Sequence, residues 1–206
     1  MTLTYQSLRH DTRGVAAVEF ALLLPVLVAL FFGAVELSNL LIADSRLRNA
    51  AASVADLITQ KSDGVITANS LNIANIAATE IMRPLPVTAG GNPILAILVT
   101  NFRSTGPTTA NVEWSRIIAG GLANPTTATT LGLSVLPCAD TSLPSALASS
   151  LNALDVDVVK VTARYRWTPW FAVIYSGSIT LTSTNYNMPR YSLQLNVDAS
   201  LTPGCS

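Results

Sequence analysis

Four groups of residues have types and spacings that could do chemistry. Glu19 is a carboxylate near the start of an otherwise apolar run from Val15 to Leu37. A simple membrane anchor gains nothing from a charge there, so this group calls for a partner. Cys138 and Cys205 are the only two cysteines, with no CxxC or histidine-rich spacing, which argues against a metal site. Asp155 and Asp157 fall on one strand face, spaced like a carboxylate pair for calcium or acid–base work. Lys160 and Arg164 beside them point instead to a solvated face. The one histidine, His10, lies in a polar stretch ahead of the apolar run. If that stretch is removed, Ser–His and Cys–His catalysis and His-ligated zinc are excluded. With no nucleophile elbow and no phosphate loop either, the expectation is a protein that is not an enzyme and holds no cofactor or metal.

The whole chain has 206 residues, 50% apolar and 12% charged, with zero formal net charge. One membrane segment plus one domain of ~150 residues fits that length. Neutral balance without a basic cluster argues against nucleic acid as a partner, since phosphate contacts need an excess of Lys and Arg on one face.

The elements that must position these groups follow from periodicity. At ~1.5 Å per residue, Val15 to Leu37 makes a helix of ~35 Å, enough to cross a ~30 Å hydrocarbon core. A secretory signal peptide would have a shorter apolar region followed by a small-residue cleavage site, whereas the cleavage signal here precedes the run. Arg9 and Arg13 favour a cytoplasmic N-terminal flank, and Arg46 and Arg48 on the far flank weigh against it. We read the topology as N-in, C-out. Pro25 removes one backbone bond and is expected to kink the helix near Ala21 to Leu24. Gly33 is a second weak point.

The helix is expected to continue to Gln60, because Leu37, Leu40, Leu41, Leu47, Ala51, Val54, Leu57 and Ile58 recur three and four residues apart. Nothing breaks it before Ser62-Asp63-Gly64, giving roughly 70 Å in all. A second helix is expected from Thr67, its N-cap, to Met82, ended by Pro84 and Pro86. Period-two alternation then predicts strands at Ile94–Phe102 and Val112–Ile118, joined by the Ser104-Thr105-Gly106-Pro107 turn. Residues 119–150 read as loop, with a short helical turn from Ser145 to Leu151. Asp155–Trp167 is the strongest strand, and its Val158-Val159 pair reads as a one-residue slip, a bulge. Ser178–Asn187 alternates again, and Leu193, Leu195 and Val197 suggest an edge strand. The sum is an α+β chain, a long N-terminal helix packed on an antiparallel β-sheet domain.

The Arg13-Gly14 junction, the Ala17-Val18-Glu19-Phe20-Ala21-Leu22 block, Pro25 and the Gly33-Ala34-Val35-Glu36 exit resemble the type IV pilin-like proteins. They are most similar to the TadE/TadG-like minor pilins (pseudopilins) of tight-adherence (Flp-type, type IVc) pili. The stretch Val159-Lys160-Val161-Thr162-Ala163-Arg164-Tyr165 with Pro169, and Met188-Pro189-Arg190, resemble the family's domain more loosely. The resemblance implies a leader, residues 1–14, removed between Gly14 and Val15 by a prepilin peptidase of the inner membrane. It implies a transmembrane and assembly segment at 15–37 and an extracytoplasmic domain at 38–206. Expected partners are the peptidase, other minor pilins, the major pilin, the inner-membrane assembly platform and the lipid bilayer. The expected role is pilus initiation, assembly or tip and base structure, with surface adhesion as its outcome. The expected location is the bacterial inner membrane, then the pilus or periplasm.

The physics of the apolar run agrees with this. A charged residue at a membrane helix centre costs roughly 2.5–3.5 kcal/mol on insertion scales, less near an end. Cleavage after Gly14 would create an α-amine at Val15. Glu19, beside Phe20, of one subunit can then pair with the amine of a neighbour staggered by about one turn, making the charge an assembly register. The bland alternative is a signal anchor whose Glu19 snorkels to the headgroups, carrying an unprocessed domain that binds a ligand or surface. Glu36 reads as the membrane-exit residue, with a second intersubunit carboxylate as its alternative. The C-out topology puts Cys138 and Cys205 in an oxidising compartment. A disulfide between them would stabilise by ~4 kcal/mol in the chain-entropy model; free thiols or an intermolecular bridge are the alternatives. Arg164-Tyr165-Arg166-Trp167-Thr168-Pro169-Trp170-Phe171 is the most aromatic stretch, read as sheet core plus a packed corner, with an adhesive surface as its rival.

Overall fold

The computed structural model describes residues 14–120, 131–138, 140, 143–154, 156–171, 176–199 and 201. The first element is a single 45-residue helix, α1 (Val15–Thr59), running unbroken through Pro25 as the uninterrupted apolar periodicity demands. The chain divides into two compact units. One holds α1 up to Leu40 together with Pro169–Gly177, and the other holds Leu41–Thr168 and Ser178 onward.

In the second unit α1 buries Ala43, Leu47, Ala50, Ala51, Val54, Ala55 and Ile58. Their three- and four-residue spacing is one helix face, and its alanines leave room for close approach. The expected stripe begins earlier, but Leu37 and Leu41 are exposed, so within this unit the buried face starts at Ala43. Thr59 ends the helix with its hydroxyl donating to the Ala55 carbonyl. After β1 (Val65–Ile66) comes α2 (Ala68–Met82), opened by a capping box in which Thr67 Oγ1 accepts from Ser70 N–H at 3.2 Å. Arg46 Nη1 of α1 donates to the Ile81 carbonyl of α2 at 3.1 Å.

A short hairpin of β2 (Thr88–Ala89) and β3 (Asn92–Pro93) precedes the main sheet. That sheet has the order β5-β4-β6-β7 and is antiparallel throughout, built from β4 (Leu95–Gly106), β5 (Thr109–Ala119), β6 (Val158–Trp167) and β7 (Ile179–Asn187). The β4–β5 hairpin is the expected one, but its ladder runs on through Ser104 to Gly106, so the turn falls at Pro107-Thr108 and not at the expected Ser104–Pro107. One face of β4 and β6 carries Leu95, Ile97, Val99, Val159, Val161, Ala163 and Tyr165, all buried. The other is covered by α3 (Ser145–Leu154) and by residues 131–136, through clusters around Phe102, Leu151 and Val158 and around Ala96, Leu98 and Leu133. Arg164 Nη1 ties that cover down by donating to the Leu131 and Gly132 carbonyls.

Three further expectations are corrected in this unit. The β4–β6 ladder runs in unbroken register from Leu95↔Tyr165 to Phe102↔Val158, so the Val158-Val159 pair makes no bulge. The irregularities lie between β4 and β5, at Asn101/Phe102 and Ser104/Gly106. Because the phase never slips, Asp157 shares the parity of Val159, Val161 and Tyr165, which is the buried one, and it is fully buried rather than solvated. Arg103 meets it at 2.9 Å, Asn101 Nδ2 donates to it at 2.8 Å, and Leu195 N–H donates to it at 2.8 Å. Asp155 lies outside the described residues. Third, the C-terminal segment adds no edge to the main sheet. Its strand β8 (Asn196–Val197) pairs in parallel with β1. Gly64 permits that approach: its φ is +66°, and a Cβ there would stand 2.9 Å from the Gln194 carbonyl oxygen. Leu195 is buried, and its carbonyl accepts from Trp114 Nε1 at 2.9 Å.

Candidate functional site

The site is built on the N-terminal part of α1, whose composition leaves no polar face. Every residue from 14 to 31 is exposed, including Phe20 at 59% and Leu22 at 73%. A helix that is apolar all round is stable only when something apolar surrounds it. This one is long and apolar enough to cross a membrane, and none of its most apolar window is buried by its own chain. It is compatible with membrane anchoring.

Glu19 is the only charged side chain on this stretch, and it is exposed. Among the described residues, none donates to its carboxylate. Val15 and Glu19 are four residues apart, so they lie on the same helix face one turn from each other. Pro25, inside the helix, has no N–H to give to the carbonyl one turn earlier. Gly14 precedes the first turn, and a Cβ built there would meet nothing within 4 Å. Among the described residues, neither space nor a left-handed backbone demands a glycine at that position.

The other end of the apolar run is different. Gly33 and Glu36, three residues apart on one face, are both buried within the first unit. Glu36 is only 5% exposed, and Phe171 N–H donates to its Oε1 at 2.7 Å. The Phe171 ring lies 4.6 Å from that of Phe32, tilted at 46°, and Phe32 meets Phe31 edge-on. A short charge-assisted bond and one ring contact thus fasten the residues after Pro169 to the last turns of the run. Ser38 Oγ donates back to the Ala34 carbonyl, satisfying its hydroxyl within the helix.

One comparison with known proteins found a likeness. Residues 14–56 match the family described as TadE-like protein. The N-terminal helix is TadE-like. The TadE-like stretch contains Gly14, Glu19, Phe20, Pro25 and Glu36 and stops just short of the end of α1. The match covers residues 14–56 of the 206, so the likeness is one of the N-terminal helix alone. Comparison with curated proteins and with solved structures gave no match.

The remaining residues singled out in the sequence fall elsewhere. Cys138 sits in an exposed turn, while Cys205, like His10, lies outside the described residues. The aromatic stretch divides in two: Tyr165 and Trp167 are buried in the sheet, whereas Trp170 is 77% and Phe171 48% exposed. Desolvation raises the Tyr165 phenol above its usual range and lowers the Arg116 guanidinium below its own. Both belong to the sheet. Sequence reasoning missed the clasp between Glu36 and Phe171, since no local pattern links residues so far apart in the chain. The only available signal was the proline corner at Pro169, which frees aromatic residues from the strand.

Proposed function

We propose that this chain is a minor pilin, or pseudopilin, of a bacterial Tad (Flp) pilus, made with a leader that a prepilin peptidase removes after Gly14. It takes part in pilus initiation, assembly or tip and base structure, and assembles through residues 15–37 with other minor pilins and the major pilin. The observation that carries the reading is Glu19, a carboxylate without a partner among the described residues, on the exposed apolar part of α1 one turn from Val15. Gly14 supports it: with nothing among the described residues that requires a glycine there, an external requirement such as a peptidase that takes an extended, unhindered backbone accounts for the residue. Glu36 already has its partner in Phe171, which leaves Glu19 as the carboxylate for a neighbour's amine. Before assembly the protein spans the inner membrane once, N-in and C-out. The sheet unit is then extracytoplasmic, where Cys138 and Cys205 can oxidise to one disulfide. The reading assigns no catalytic step and no cofactor.

Intact-mass measurement of membrane-extracted protein from cells that make the pilus tests this. The mass of a chain beginning at Val15 is expected. Retention of Met1 would overturn the processing claim in favour of an unprocessed anchor.

A further inference from the structure

We propose that the corner at Trp170-Phe171 is a second membrane contact, with the headgroup–acyl boundary of the bilayer as its occupant. This rests on the reading of residues 15–37 as the membrane-inserted half of α1. The corner is fastened at one level of the helix. Phe171 stacks on Phe32 and its N–H binds Glu36, so Trp170 is held beside the last turns of the apolar run.

Three observations favour lipid as the occupant. Trp170 is 77% exposed, a large cost for a tryptophan facing water. Its indole has an apolar body and an N–H, the combination that settles at membrane–water interfaces. The surface it continues is itself the lipid-facing one, since Phe31 and Leu37 are exposed at 65% and 56% on the same turns. Just past them the helix becomes polar at Ser38 and Asn39. Glu36 fits the same place. A carboxylate at the boundary is tolerated if it is hydrogen-bonded, and the Phe171 amide supplies that bond within the chain. The corner thereby sets how far α1 enters the bilayer.

Full-length protein in phosphatidylcholine vesicles gives the test, by tryptophan quenching with lipids brominated near the headgroup or deep in the acyl chain. The emission lost in Trp170→Phe isolates Trp170, because Trp114 and Trp167 are unchanged between the two proteins. The Trp170 component is expected to lose most of its intensity with shallow bromines and to resist aqueous acrylamide. Quenching by acrylamide alone would overturn the proposal. Protection from both quenchers would also overturn it, because a protein surface and not lipid would then cover the corner. A Phe20→Trp, Trp170→Phe variant carries the control. Its residue 20 emission should fall with deep bromines, and if it does not, the membrane reading of α1 fails and the corner proposal with it.

Discussion

Glu19 and Asp157 carry the same functional group in opposite surroundings. Glu19 stands on an exposed apolar helix without a partner among the described residues. Asp157 is fully buried and receives Arg103, Asn101 and the Leu195 amide. Arg103 also meets Glu113 at 2.9 Å, so the cluster links β4, β5, the start of β6 and the C-terminal segment. Among the described residues, one carboxylate is fully partnered and the other is not. A charge that a fold has satisfied holds the fold together, whereas a charge left unsatisfied on an apolar surface is an instruction for something outside it.

The largest effect expected from this contrast comes from truncating the buried member. Asp157→Ala takes the buried acceptor from Arg103 Nε, Asn101 Nδ2 and the Leu195 N–H, although Arg103 keeps Glu113, and should cost about 3–5 kcal/mol. Urea unfolding of the detergent-solubilised chain should show a midpoint well below wild type. A midpoint within error of wild type would mean that the cluster is replaceable. The matched change, Glu19→Ala, should leave that midpoint within ~0.5 kcal/mol of wild type, because it removes nothing the chain itself uses. Its effect should appear as loss of the subunit from sheared pili, with normal amounts in the membrane. If Glu19→Ala destabilised the isolated protein, or if the pili still contained it, the contrast would collapse.

The same contrast explains what the sequence disclosed. Glu19 was legible because its surroundings are local: one helix, with Gly14 ahead of it and apolar residues on either side. The helix, the Thr67 cap and the β4–β5 hairpin were legible for the same reason. Asp157 was misread through a single assumption, that Val158-Val159 shifts the strand phase. Strand parity taken without a bulge puts Asp157 with Val159 and Val161, and the buried assignment follows. The β1–β8 pair and the clasp of Glu36 by Phe171 join positions far apart in the chain, and no window of sequence contains both halves.

A smaller effect tests the capping box that orients α2. Thr67→Ala removes the acceptor for Ser70 N–H and should cost ~1 kcal/mol. Thr67→Ser keeps an oxygen in the same place and should restore most of that loss. Equal destabilisation by both variants would show that the methyl group, not the cap, was what mattered.

The least effect is expected at Arg190, although its contact with Asp56 looks as well made as any in the chain. Arg190 Nη2 lies 2.5 Å from Asp56 Oδ1, yet the two side chains are 58% and 38% exposed. At that exposure water and salt screen the pair, and ordering a long arginine side chain offsets much of its attraction, so Arg190→Ala should cost under ~1 kcal/mol. The backbone bond from Arg190 N–H to the Thr59 carbonyl survives the substitution and keeps the segment on the end of α1. Raising the salt concentration should shrink even that small difference in unfolding midpoint, while leaving the deficit of Asp157→Ala nearly unchanged. If instead the two deficits fell together with salt, the Asp157 cluster would have to be as wet as the surface pair, contrary to its burial.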